Sequence, residues 1–127
     1  MGKLVNDLVL DAALNYILNN ATQISVCINT PTTYSHATTT DNKVLAIKSD
    51  LDSSDFSVGN GATGRMLTVS EQATIAIVGA GTQSATHVCL CAAADNLLYV
   101  TTCISQALTN GNTVTIPAWT ITIADPS

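Results

Sequence analysis

The sequence predicts a mainly β protein, an antiparallel β-sandwich or small barrel with one α-helix at its N-terminus. Three observations point there. Apolar residues recur at helical spacing only before residue 21, and beyond it they alternate with polar ones. Seven or more short alternating runs follow, separated by Gly- and Asn-rich turns. Thr, Ser and Asn together number 39 against 13 charged residues, and β-branched Thr favours a pleated sheet.

The helix is expected over about 3–20. Val5, Leu8, Val9, Ala12, Ala13, Tyr16 and Ile17 form one apolar stripe, which is expected to cover the open core of the β-domain. Leu4, Leu10, Leu14 and Leu18 lie away from that stripe, on the side of Asp7 and Asp11. A lone surface helix needs only one apolar face. These four leucines are therefore the candidate interface residues, expected to contact a sister subunit or another partner. Asn19-Asn20 is the expected stop, because Asn tolerates the left-handed conformation that ends helices.

The β-domain is expected over about 23–125. Ile24, Val26 and Ile28 mark its first strand, and 30–42 reads as a polar, Thr-rich loop containing Pro31. Further strands are expected near 44–49, 55–58, 65–69, 74–78, 86–91, 97–103, 113–116 and 119–123, with Pro117 at a bulge or edge. With ~100–200 residues per domain, the 127 residues make a single domain, 1–127.

Composition narrows the function classes. An apolar content of 46% and a mean hydropathy of +0.32 argue against disorder. The net charge is −5, and Lys3, Lys43, Lys48 and Arg65 are the only basic residues, too few for a phosphate-binding patch. No nucleic-acid partner is expected. Asn6, Asp7, Asp11 and Asn15 interrupt the first apolar stretch, so neither a signal peptide nor a membrane span is expected. Cys27, Cys89, Cys91 and Cys103 are expected as free thiols in a chain made in a reducing cytosol. The surplus of hydroxyl and amide groups over charges suits surfaces that pack against other protein, where desolvating a charge is costly.

The candidate chemical motifs each lack a necessary part. Gly59-Asn60-Gly61-Ala62-Thr63-Gly64 spells a dinucleotide fingerprint, and Ile75-Ala76-Ile77-Val78-Gly79-Ala80-Gly81 resembles the strand and turn that open such a site. Both are followed by strand patterns, whereas phosphate binding needs a helix N-terminus. Both are read as hairpin turns. His87, Cys89 and Cys91, with Cys103, make a zinc set on paper. Alternate strand positions stand ~6.6 Å apart with parallel side chains, too far for sulfurs held ~2.3 Å from one metal. Asp50, Asp52 and Asp55 sit in a Ser-rich turn and read as solvated carboxylates. No catalytic, cofactor-binding or metal-binding residue is assigned, and no enzyme activity is expected.

Read end to end, the chain resembles a family of short virion structural proteins of tailed bacteriophages. The likeness is carried by Leu10-Asp11-Ala12-Ala13-Leu14-Asn15-Tyr16-Ile17, Pro31-Thr32-Thr33-Tyr34, Asp55-Phe56 and Gly64-Arg65. It continues in Leu97-Leu98-Tyr99-Val100-Thr101-Thr102-Cys103, Gln106-Ala107-Leu108-Thr109, the segment from Gly111 to Trp119, and Ile123-Ala124-Asp125-Pro126. The resemblance implies a virion component, in first place a capsid decoration or cement protein on the outside of the virion, in second a tail or head-completion subunit, and last a small host-directed binding module. Its implied partners are the major capsid protein and further copies of the chain itself.

Overall fold

A computed structural model describes residues 5–39, 43–92 and 96–125. The fold is mainly β, with antiparallel sheets and an N-terminal helix. Helix α1 (Asp7–Asn20) begins where Asn6 Oδ1 accepts the Leu8 amide at 2.8 Å. It ends without a left-handed residue. Ala21 is extended, and the chain runs straight into strand β1 (Ala21–Cys27). Asn20 instead closes the last turn by donating its side-chain amide to the Tyr16 carbonyl.

A short helix α2 (Tyr34–Thr38), capped by Thr33, leads to β2 (Val44–Lys48). The chain continues through β3 (Phe56–Asn60), β4 (Gly64–Val69), β5 (Gln72–Ala76) and β6 (Thr82–Ala92). It closes with β7 (Asn96–Thr109), β8 (Thr113–Ile116) and β9 (Trp119–Ala124). Pro117 falls between β8 and β9, where the chain leaves one ladder and enters another.

One sheet has the order β2-β1-β6-β7, and a second has β3-β4-β9; β5 and β8 form a separate pair. All of these pairings are antiparallel. The sheets share a core of Ile24, Val26, Leu45, Leu67, Val69, Leu90 and Ile121, and among the described residues no closed barrel forms. A smaller apolar cluster covers the outer side of the first sheet. There, Ala37 and Tyr34 of α2 lie over Cys27, Val44, Cys89 and Cys91. The segment expected as a loop is thus partly helical over its described residues, 30–39, and its helix covers the four-stranded sheet; 40–42 lie outside the described residues.

Helix α1 packs over β3 and β4 with the opposite face from the one expected. Leu10 and Leu14 are buried, and Leu14 joins the main core at 1% exposure. Ile17 and Leu18 pack half-buried beside them. Two physical causes act together. Arg65 of β4 grips Asp11 through Nε–Oδ1 at 2.7 Å and Nη2–Oδ2 at 3.1 Å, turning the acidic side of the helix towards the sheet. The leucines on that side also remove more apolar area from water than Ala12 and Ala13 could.

Candidate interaction surface

The rotation of α1 reassigns the residues proposed as an interface. Leu10 and Leu14 are inside the chain's own core and offer no free face, while Leu18 packs against it half-buried. Leu4 lies outside the described residues. What faces outward is most of the stripe expected to be buried. Leu8 is 76% exposed, Val9 63% and Tyr16 55%, with Ala12 and Ala13 exposed between them. Helical spacing places these five side chains on one face over three turns. None of the five is charged, and the two aspartates of the helix lie on its other side, Asp11 bound to Arg65 and Asp7 4.0 Å from Arg65 Nη1. The surplus of apolar side chains on this helix was legible in the sequence. Which side they would leave bare was not.

A second apolar surface lies where the sandwich is open. A groove of about 740 Å³ runs between β6–β7 and β8–β9, lined by Val88, Cys103, Ile104, Val114, Ile116 and Trp119 among others. Tyr99 of β7 stacks on Trp119 of β9 at one flank, with ring centroids 5.9 Å apart. Among the described residues, Trp119 Nε1 is the buried side-chain nitrogen left without a hydrogen-bond partner. Ile104, at the rim, is 93% exposed. It sits in an irregular stretch of β7. Ala85 pairs with Gln106 and His87 with Thr102, so Cys103, Ile104 and Ser105 together oppose Thr86 alone. Such a bulge bends the strand and re-aims its side chains.

The thiols and the histidine of the paper zinc set do not converge. Cys27, Cys89 and Cys91 lie together under α2, whereas Cys103 packs against the main core. His87 is occupied by hydroxyls, with Thr86 Oγ1 at 2.8 Å from Nδ1 and Thr30 Oγ1 at 3.2 Å from Nε2. Cys89 donates to Cys27 across 3.8 Å. That bond lowers the Cys27 pKa and raises that of Cys89, and burial raises Cys89 further. Burial also pushes the Cys91 thiol up to about 11. Both fingerprint-like turns lead into strands, β4 after Gly64 and β6 after Gly81. No helix among the described residues is long and apolar enough to cross a membrane.

Comparison with known proteins adds no relative. No family model, no curated protein and no solved structure matches the chain.

Proposed function

We propose that this protein is a non-catalytic structural subunit of a bacteriophage virion, a decoration protein bound to the capsid shell through the outward face of α1. The observation that carries the reading is the uncharged stripe of Leu8, Val9, Ala12, Ala13 and Tyr16, left bare on a helix whose other face already seals the core. The end-to-end likeness to short phage virion proteins and the dominance of hydroxyl and amide groups over charges support it from the sequence side. The partner such a face fits is an uncharged, apolar seam between shell subunits.

A three-turn stripe is small beside the ~800 Å² per partner of a standard stable interface. A decoration protein relying on it works by copy number and by linked contacts, each additional contact acting at high effective concentration. Counting this chain in particles purified from a lysate that carries its gene tests the reading. Hundreds of copies per particle support it, and a tail-like handful or complete absence overturns it. Leu8→Asp and Tyr16→Asp are expected to leave a folded chain that no longer enters particles. Undiminished incorporation of both variants would remove α1 as the contact.

A further inference from the structure

Three polar side chains meet where the end of β2, the turn at Ser53–Asp55 and the start of β5 come together. Lys48 Nζ donates to Gln72 Oε1 at 2.8 Å, and Gln72 Nε2 donates to Asp55 Oδ1 at 3.1 Å. The two ends of the carboxamide are fixed, because an ammonium only donates and a carboxylate only accepts. Gln72 is 2% exposed, whereas Lys48 and Asp55 are half-buried. The arrangement is held from several sides. Asp55 Oδ2 accepts the Asp52 amide at 2.9 Å, Asp55 O accepts the Ser70 amide, and Ser70 O takes a second bond from Gln72 Nε2.

The partner that Lys48 takes is unusual. Among the described residues, the ion pairs are those of Arg65 with Asp7 and Asp11. Lys48 instead brings its amine to a buried carboxamide whose other end rests on an acid. With a C=O bond of ~1.23 Å, an amine 2.8 Å from the oxygen lies within about 4.0 Å of the carbonyl carbon. Near-attack geometry asks for ~3–3.5 Å. A short swing of the terminal Lys48 bonds closes the difference.

We propose that Lys48 and Gln72 join in an intramolecular isopeptide bond, with Asp55 serving the departing nitrogen. The lone pair of the deprotonated amine forms the Nζ–Cδ bond, and the Cδ–Nε2 bond breaks. Lys48 starts as an ammonium and sheds two protons, and Nε2 leaves with them as ammonium. Asp55 already accepts from Nε2, so a proton taken up by that carboxylate passes directly to the leaving group. No oxidant, metal or second substrate enters the balance. Each chain reacts only once, so held proximity suffices and turnover is not required. The bond ties β2 of the four-stranded sheet to β5 of the separate pair, 24 positions away in the chain. Such a link restricts the unfolded state as a disulfide does. The inference stands apart from the virion reading, because it concerns the chain itself.

Intact-mass spectrometry of the purified full chain tests it. The expected mass is about 17 Da, one ammonia, below that of the sequence. Peptide mapping should recover a branched peptide joining Lys48 to Gln72, with no tryptic cleavage after Lys48. Lys48→Arg keeps a donor but loses the nucleophile, so it should return to the full sequence mass and melt at a lower temperature. Asp55→Asn keeps a side-chain acceptor for the Asp52 amide and should hold at least tenfold less cross-linked chain at a matched time after purification. A parent chain at full sequence mass, with ordinary Lys48 and Gln72 peptides, would overturn the proposal and leave a hydrogen-bonded network. The same mass loss persisting in Lys48→Arg would also overturn it, since succinimide formation at Asn60-Gly61 or Asn110-Gly111 sheds the same ammonia. Full cross-linking in Asp55→Asn would overturn the part given to Asp55.

Discussion

Arg65 and Asp11 meet as a two-pronged pair across 54 positions of sequence, the guanidinium on a central strand and the carboxylate on the N-terminal helix. Asp11 holds the guanidinium pKa above its ordinary value, chiefly through the hydrogen bond. Arg65 also donates to Asn60 at the end of β3, so one side chain ties α1 to the β3–β4 hairpin. Arg65→Ala and Asp11→Ala are each expected to lower the melting temperature and speed hydrogen exchange along α1. The double variant should fall less than the sum of the two, because the singles remove the same contact. Arg65→Lys should recover little, since an ammonium cannot reproduce a planar fork. Additive losses would show that the pair does not act as a unit.

The orientation of α1 makes a second, sharper prediction. Leu14→Ala should cost ~2–5 kcal/mol of unfolding free energy in urea, as buried leucines do. Leu8→Ala should fall within about 0.5 kcal/mol of the parent, as exposed substitutions do. Leu14→Asp places a charge in the core and should prevent folding. Equal costs at Leu8 and Leu14 would mean that the helix sits otherwise.

Glycine provides a third test, at the last position of the Gly59–Gly64 motif. A Cβ on Gly64 would run into the carbonyl oxygen of Ile123 on the paired strand β9, so backbone must move to accept it. A Cβ on Gly59 would meet nothing within 4 Å. Gly64→Ala should therefore lower the unfolding midpoint markedly while Gly59→Ala leaves it nearly unchanged. Thermal melts of the two variants side by side decide the matter.

The thiols give a fourth. Cys27, Cys89 and Cys91 are buried, and Cys103 is half-buried with its pKa raised by burial. A thiol reagent should modify Cys103 first and the other three only after denaturant is added, as peptide mapping would show. The pH dependence has a definite sign. Folding holds Cys91 neutral, with its pKa up at about 11 against an unfolded value near ~8.5. Its contribution is complete below the unfolded pKa and is lost as pH rises towards the folded one. Stability should thus fall on the alkaline side, and Cys91→Ala should flatten that limb of the curve.

Much of the strand layout was legible in the sequence because alternation of apolar and polar residues is a local signal. The nine strands of the described residues overlap segments read as strand-like, and Gly111 falls in the β7–β8 turn; of the Gly59–Gly61 turn only Gly61 lies between β3 and β4, because pairing continues through Gly59 and Asn60. What escaped was set by contacts between distant residues. The facing of α1 depends on Arg65, which no periodicity within the helix reports. Helix α2 has only five residues, too few for a period, although Thr33 accepting the His36 amide is an ordinary cap that could have announced it. Strand β7 runs to Thr109, past the expected end near Cys103, because the bulge at Ile104 breaks the alternation without ending the pairing.

The adjacency of β1 and β6 has a consequence for synthesis. Cys27 and Cys89, neighbours across the middle of the main sheet, are 62 positions apart in the chain. At ~5–20 residues per second, a ribosome needs several seconds between exposing β1 and exposing the strand that will lie beside it. During that interval β1 has only β2 to pair with, and its other side stays open. Non-local pairing of this kind is intrinsically slow. A nascent chain stalled near residue 80 should therefore be protease-sensitive and prone to aggregation, and protection should arrive abruptly once β6 has left the exit tunnel.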